Sequence, residues 1–235
     1  MNMHPPVCAI VGVGPGNGAA FARRFSGAGY RIALIARSSD TTQALAQTLP
    51  GSRAYACDIT DQGSVQRVFE AIQNEMGEID TLLYNAGAGI WRNVEEISAE
   101  DFEQSWRVNA LGSFLAARQV IPAMKRNGRG TMIFIGATAS RRGNILTAAF
   151  APAKAAQKSL VESMARYLGP SGIHVALLIL DGVVDTPATR NVFPDKPDAF
   201  FMQPEDIAEV AYSTAIQKPS AWSSEVEIRP DGEKW

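Results

Sequence analysis

Four closely spaced glycines near the start of the chain form the first pattern that could do chemistry. They lie directly after the apolar run Val7–Val11 and directly before a helical pattern. Backbone can approach a phosphate closely where no Cβ intervenes, and free N–H groups at a helix N-terminus favour negative charge. This segment therefore predicts a dinucleotide site, made by Gly12, Gly14, Gly16, Asn17 and Gly18. A turn that serves only strand-to-helix packing is the alternative.

The end of the second apolar run, Arg31–Ala36, bears on which dinucleotide would fit. A carboxylate there would accept a hydrogen bond from the adenosine ribose of NAD, whereas an arginine can pair with the 2′-phosphate of NADP. Ala36 removes the acid, and Arg37, followed by Ser38, supplies a cation. We therefore favour NADP(H) over NAD(H). The alternative is that Arg37 is a solvated surface residue.

The elements that must position these residues alternate along the chain as short apolar runs and longer helical stretches. Most runs are continuously apolar, which is typical of strands buried on both faces of a parallel sheet. We predict seven strands, at Val7–Val11, Arg31–Ala36, 53–57, 81–84, 131–135, 174–180 and Glu225–Ile228. Helices are predicted at 19–28, 63–75, 102–125, 153–168 and 204–216. The predicted fold class is a single α/β domain over 1–235, a doubly wound parallel sheet with helices on both faces.

The composition of the chain narrows its possible partners. Of the 235 residues, 46% are hydrophobic and 20% are charged, and the net charge of −2 provides no basic field for nucleic acid. No run approaches the roughly 18 apolar residues of a membrane span, and residues 1–6 lack a leader pattern, so we expect a cytoplasmic protein without a membrane partner. Cys8 and Cys57 lie in apolar runs and are predicted to be core residues, with no metal site.

Two further segments complete a pattern that resembles the short-chain dehydrogenase/reductase family. They are Val108-Asn-Ala-Leu-Gly112 and Phe150-Ala-Pro-Ala-Lys154, and the spacing of Gly12, Gly16 and Gly18 fits the same family. The resemblance covers nearly the whole chain and implies a Rossmann fold and NAD(P)-dependent hydride transfer. It also implies that Asn109 holds a relay water. Lys154 would grip the nicotinamide ribose and lower the pKa of a catalytic tyrosine.

The same resemblance reveals two substitutions in the catalytic set. Phe150 stands where the family has its tyrosine, and Ala137, thirteen residues earlier, stands where it has a serine. Both hydroxyls that would contact the substrate oxygen are therefore absent. Thr138 and Ser140 are candidate substitutes, with turn or cap roles as the alternative. Asp181 is another, because a carboxyl in an apolar pocket can have a raised pKa and donate a proton; a turn-forming or loop-bonding role is its alternative.

Other segments resemble the coenzyme contacts of the family. The residues implied are Asp58, Ile59, Asn85, Ala86, Gly87, Lys154, Gly182, Val184 and Thr186. Asp58 would accept from the adenine amino group, the 85–87 turn would pack against the adenosine ribose, and Thr186 would bind the nicotinamide carboxamide. Tyr84 replaces the first asparagine of that turn.

Two hypotheses of function follow from this mixed pattern. One is an NADP(H)-dependent oxidoreductase with a non-standard proton route. Its proton would come from another side chain or from water organised by Asn109 and Lys154, or the substrate would need little help at its oxygen. The other is a catalytically silent NADP(H)-binding protein with a sensor or assembly role.

The segment 187–203 is the least regular part of the chain, with three prolines and three phenylalanines. It is predicted to be a lid over a small-molecule substrate. Aromatic side chains suggest an apolar pocket, with core or lid packing as the alternative, at Trp91, Phe193, Phe200 and Phe201. The family resemblance also implies a homodimer or homotetramer with the 102–125 and 153–168 helices at the seam.

Overall fold

Seven parallel strands form the central sheet of the protein. The computed structural model describes residues 5–232. The strands are β1 (Val7–Val11), β2 (Arg31–Ala36), β3 (Arg53–Ala56), β4 (Ile79–Tyr84), β5 (Gly130–Ala137), β6 (Ile173–Leu180) and β7 (Glu225–Ile228). Their order across the sheet is β3-β2-β1-β4-β5-β6-β7, and every neighbouring pair is parallel. The order reverses between β1 and β4, which is the switch point of a doubly wound sheet.

Helices cover both faces of this sheet. They are α1 (Asn17–Gly27), α2 (Asp40–Thr48), α3 (Gln62–Met76), α4 (Ala99–Trp106), α5 (Gly112–Asn127), α6 (Phe150–Leu168), α7 (Pro187–Val192) and α8 (Pro204–Ala215). Apolar side chains of α3, α5 and α6 are buried against one face, and those of α1 and α8 against the other. Neighbouring residues of β1 point into different cores, Ala9 into the first and Ile10 into the second. This two-sided burial explains the continuously apolar strands and confirms the predicted fold class.

Three local elements differ from the prediction. The predicted 102–125 helix is interrupted, because a π-helical turn, Arg107–Leu111, separates α4 from α5. A short parallel ribbon that pairs Val183–Val184 with Phe201–Met202 is not predicted either. Helix α2 is the third. It buries only Thr42, so its sequence carries little of the apolar periodicity by which helices are recognised.

The predicted lid, 187–203, is partly regular. It contains α7, which Thr186 caps, and one strand of the ribbon. Its phenylalanines pack on one another, with ring centroids 5.6 Å apart for Phe193 and Phe200 and 5.1 Å apart for Phe200 and Phe201. These contacts favour packing within the segment over a shared pocket with Trp91.

Both cysteines are core residues, as predicted. Cys8 and Cys57 are buried free thiols, and burial raises the pKa of each. Within residues 5–232, no helix has the length and apolar character that crossing a membrane requires.

Candidate active site

A cleft of about 410 Å³ lies at the carboxyl ends of β1, β2, β3 and β4. The switch point of a doubly wound sheet is where such folds bind ligands. Predicted coenzyme residues line it: Gly12, Gly14, Arg37, Ser38, Asp58, Ile59, Asn85, Ala86 and Gly87. Gln104 and Val108 also line the cleft, although the sequence did not predict them as coenzyme residues. The fold thus brings the residues predicted for the adenosine side of the coenzyme into one cleft.

The loop after β1 needs glycine for local reasons at two positions. Gly12 has a φ of +88°, and a Cβ there would lie 2.4 Å from the backbone nitrogen of Ala86. A Cβ at Gly18 would lie 2.6 Å from the Cα of Val13, so α1 packs closely against the loop. Gly14 differs, because no atom of the described residues lies within 4 Å of its Cβ position. Since Gly14 also lines the cleft, the loop backbone is open to a ligand there.

The same loop is held from two sides. The Asn85 side chain donates from Nδ2 to the backbone oxygen of Gly12 at 2.7 Å. On the other side, a Cβ at Gly16 would lie 2.7 Å from Cγ2 of Thr186. Thr186 therefore lies against the loop, although its hydroxyl already accepts from the backbone N–H of Thr189 at 3.1 Å as the cap of α7.

Opposite charges lie at the adenosine end of the cleft. Oδ1 of Asp58 accepts from the backbone N–H and the hydroxyl of Thr60, at 2.9 and 2.8 Å, and these bonds hold the pKa of the carboxyl below its usual range. The positive charge of Arg37 acts on that pKa in the same direction. Arg37 is exposed and forms no hydrogen bond or ion pair with residues 5–232. Its guanidinium is therefore open to an anionic ligand.

Lys154 is buried at the inner end of the site, with 5% of its surface exposed. Its Nζ donates to the backbone oxygen of Ile135 at 2.8 Å and to Oε1 of Gln157 at 3.0 Å. Burial lowers the pKa of the amine from 10.5 to about 7. A Cβ at Gly87 would lie 4.0 Å from Nζ and 3.5 Å from Oδ1 of Asn109. Gly87 lines the cleft, so both polar atoms lie directly behind a lining residue; the space beside this glycine is here called the Gly87 opening.

Asn109 lies in the π-helical turn between α4 and α5 and is fully buried. Its Nδ2 donates to the backbone oxygen of Ser105 at 2.8 Å and more weakly to that of Ala88 at 3.3 Å. Its Oδ1 is buried without a partner among the described residues. Such an acceptor costs free energy unless a water or ligand donates to it. Tyr84 ties the turn to β4, because its hydroxyl donates to the backbone oxygen of Val108 at 2.5 Å.

The side of Lys154 that faces Phe150 is apolar. Phe150 begins α6 one turn before Lys154, and its ring centroid lies 5.8 Å from Nζ. Trp91, which is 63% exposed, packs on Phe150 with the ring centroids 5.5 Å apart. Ala137 ends β5 and adds no polar group. Neither of these two positions offers a proton to a substrate.

The candidate substitutes for the missing hydroxyls have different surroundings. Thr138 donates its hydroxyl to Oδ1 of Asp181, and Oδ2 of Asp181 lies 3.8 Å from Nη1 of Arg229. Asp181 therefore has polar and charged neighbours and does not lie in a purely apolar pocket, and its role as a proton donor stays a prediction. The hydroxyl of Ser140 is buried and has no partner in the described part of the chain, so it stays a candidate.

Part of the predicted coenzyme set lies outside the cleft. A Cβ at Gly182 would lie 2.7 Å from Cδ of Pro230 and 3.0 Å from Sδ of Met202, and Val184 pairs with Met202 in the ribbon. The cleft is also not lined by Gly16, Asn17, Gly18, Lys154 and Thr186. Lys154 lies behind Gly87, which lines the cleft, whereas Gly182 and Val184 contact other parts of the protein.

Two buried polar side chains near Lys154, those of Gln157 and Ser113, were not predicted from the sequence. Gln157 donates from Nε2 to Oγ of Ser113 at 2.9 Å, and that hydroxyl donates to the backbone oxygen of Asn109 at 2.6 Å. Both side chains are fully buried. One signal was available: Gln157 is a polar residue three positions after Lys154, where two helical residues share a face.

Comparison with known proteins shows the family. The family model described as short chain dehydrogenase matches residues 6–197. The chain is 30% identical over 181 residues to the 3-oxoacyl-[acyl-carrier-protein] reductase MabA of Mycobacterium bovis, over 77% of this chain and 70% of that protein. It is 28% identical over 235 residues to sepiapterin reductase of Chlorobaculum tepidum, over 95% and 96% of the two chains. The chain belongs to the short-chain dehydrogenase family.

A solved structure supports the same conclusion. The crystal structure of a metagenomic short-chain oxidoreductase in complex with NADP is 25% identical and has a TM-score of 0.83 over 98% of this chain and 99% of that chain. The family is one of oxidoreductases that bind nicotinamide coenzymes.

The residues present fit such a coenzyme. The backbone at Gly14 is open for a pyrophosphate, and Arg37 is open for an anion. The side-chain oxygens of Asn17 and Asn109 are buried acceptors without partners among residues 5–232, as expected where a bound group or water supplies the donor. Gly14, Arg37 and Asp58 would hold the adenosine side, and Lys154 and Asn109 would lie at the reactive end.

Proposed function

We propose that the protein is an NADP(H)-dependent oxidoreductase whose proton route runs through Lys154 and not through the side chain at position 150. The observation that carries this proposal is the buried amine of Lys154, which lies beside Gly87 together with Oδ1 of Asn109, an acceptor without a partner among residues 5–232. A pKa of about 7 lets this amine take up or release a proton near neutral pH. The bound coenzyme would supply or accept the hydride.

The proton step would use a water or a hydroxyl in the Gly87 opening. Nζ of Lys154 can donate to it, and Oδ1 of Asn109 can accept from it. Phe150 and Trp91 would cover this place with apolar rings, which limits exchange with bulk water. General acid help of this kind is worth about 10² to 10⁴ in rate. A small-molecule substrate with apolar surface would suit the two rings.

The choice of NADP(H) over NAD(H) is part of this proposal. Arg37 lines the cleft and is exposed without a hydrogen bond or ion pair in the described residues. Ala36 offers no carboxylate to accept from a ribose hydroxyl. A free guanidinium beside the adenosine end supports recognition of a 2′-phosphate through charge-assisted hydrogen bonds.

A catalytically silent NADP(H)-binding protein is the second candidate. It is favoured by the loss of both hydroxyls, at Phe150 and Ala137, and by the engagement of Asp181 with Arg229. In this case the coenzyme would act as a ligand that is sensed, or that stabilises an assembly such as a homodimer or homotetramer. The oligomer stays a prediction for light scattering to check.

One experiment separates the two candidates. NADPH binding is first measured by fluorescence titration, and NADPH consumption is then followed against a panel of carbonyl compounds. The proteins compared are the parent, Lys154→Met, and the double variant Ala137→Ser, Phe150→Tyr. Turnover by the parent that Lys154→Met abolishes supports the oxidoreductase. Turnover by the double variant alone supports the silent protein, and failure of the parent to bind NADPH contradicts both.

A further inference from the structure

A chain of buried hydrogen bonds joins the two halves of the reactive end. Lys154 on α6 donates to Gln157, Gln157 donates to Ser113 on α5, and Ser113 donates to the backbone oxygen of Asn109 in the π-helical turn. The three distances are 3.0, 2.9 and 2.6 Å. Three of the four residues are fully buried, and Lys154 is 5% exposed. Bonds in such a place are not exchanged for bonds to water.

The direction of each bond follows from the donors and acceptors available. The backbone oxygen of Asn109 can only accept, so the Ser113 hydroxyl must donate to it and has only its oxygen left for Gln157. The amide of Gln157 must then turn its NH₂ towards Ser113 and its oxygen towards Lys154. A fixed amide oxygen is therefore presented to the amine.

The consequence for Lys154 is geometric. Ile135 and Gln157 each accept one N–H from Nζ. The amine has a tetrahedral arrangement, so its remaining position is directed away from both acceptors. That position is a third N–H when the amine is charged and a lone pair when it is neutral. The two fixed acceptors thus determine where the proton is given up or taken.

We propose that Gln157 and Ser113 are positioning residues, which hold the amine of Lys154 at a fixed separation from the backbone of Asn109 and so from the π-helical turn that carries its side-chain amide. This inference rests on the proposed function for its purpose but not for its geometry. Gln157 acts on the coenzyme or substrate only through Lys154. Burial is the cause of the lowered pKa of Lys154, with no charged side chain of the described residues contributing.

A double-mutant cycle in NADPH affinity tests this relation. Gln157→Met keeps the length of the side chain and removes the acceptor, and Lys154→Met removes the amine. We expect Gln157→Met to raise the Kd for NADPH about fivefold to twentyfold in the parent, and to change it less than twofold when Lys154 is already Met. Equal effects in both backgrounds would overturn the proposal, because Gln157 would then act independently of Lys154.

Gln119→Met is the matched control. Gln119 lies on α5, and within the described part of the chain its side chain donates only to the backbone oxygen of Leu115 in its own helix. Its replacement is expected to leave the Kd for NADPH unchanged within about twofold. An equal loss of affinity in Gln119→Met and Gln157→Met would also overturn the proposal. Ser113→Ala, which frees the amide of Gln157 to rotate, is expected to weaken binding in the same direction as Gln157→Met.

A nucleotide-free measurement keeps the inference separate from the proposed function. The same cycle of Gln157→Met and Lys154→Met is followed by urea unfolding at one pH. Direct coupling should appear as a departure from additivity of about fivefold in the unfolding equilibrium constant. If the parent fails to bind NADPH, the proposed function fails and this cycle decides alone: coupling supports the positioning role, and strict additivity overturns it.

Discussion

Replacement of Lys154 by Met should change how stability depends on pH, because the amine has a lowered pKa in the folded protein. Burial moves that pKa from 10.5 to about 7. Below pH 7 both folded and unfolded chains carry the proton, and the cost of burying the charge is fully present. Between about 7 and 10.5 the unfolded chain holds one proton more than the folded chain, so stability rises with pH. Above 10.5 both are neutral and the dependence ends.

The magnitude follows from the width of that window. One proton of difference gives a slope of about 1.4 kcal/mol per pH unit. Over the whole window, from pH about 7 to 10.5, the free energy of unfolding therefore rises by roughly 5 kcal/mol. Met has no proton to lose. It does leave the backbone oxygen of Ile135 and Oε1 of Gln157 without their donor, which lowers stability by an amount independent of pH.

The assay is urea unfolding of the parent and of Lys154→Met at several pH values between about 7 and 9. Subtracting the two free energies of unfolding removes the contribution of every other titrating group. As the pH rises, the free energy of unfolding of the parent should increase relative to that of the variant by about 1.4 kcal/mol per pH unit. A difference that stays flat across this range would mean that the amine keeps its charge in the folded protein. The proposed proton route through Lys154 would then be refuted.

Three predictions concern the coenzyme cleft. Gly12→Ala should lower the melting temperature by at least about 4 °C in a thermal melt, because a positive φ costs about 1–2 kcal/mol and the contact with Ala86 adds to it. Gly14→Ala should leave the melting temperature unchanged yet raise the Kd for NADPH about tenfold or more, whereas Gly27→Ala, equally free of contacts, should change neither. Arg37→Ala should weaken NADPH about tenfold and spare NADH; equal losses for both would contradict NADP(H) selection.

The fold was predictable because its signals are local and repeated. Most strands are recognisable as continuous apolar runs, because neighbouring residues such as Ala9 and Ile10 are buried in the cores on opposite faces of the sheet. The glycine loop likewise needs only its immediate neighbours to be recognised. The π-helical turn Arg107–Leu111 gives no such signal, because one extra residue in a helical turn hardly alters the apolar pattern between α4 and α5.

The sequence predicts candidate site residues but not the contacts that connect them. Spacing alone suggests Phe150 and Ala137 as the positions of the two missing hydroxyls, and that assignment stays a prediction. The surroundings of Asp181 could not be predicted from spacing. Its neighbour Arg229 is separated from it in sequence by the ribbon and α8, and the two residues come together only in the folded protein. The bond between Gln157 and Ser113 spans 44 residues of chain for the same reason. Spacing identifies candidates, whereas the hydrogen-bond and charge partners of each come from contacts distant in sequence.

The lowered pKa of Lys154 bears on how the proposed site would work with phenylalanine at position 150. A charged lysine is useful beside a tyrosine because it stabilises the phenolate that forms when the proton leaves. Beside Phe150 there is no such anion, and the acceptors around Nζ, from Ile135 and Gln157, are both neutral. Neutral acceptors stabilise an ammonium less than an anion would, and burial lowers the pKa of the amine to about 7. In the proposed function, the amine of Lys154, one turn further along α6 and beside Gly87 and Asn109, would take the proton-transfer role that a tyrosine has in the family.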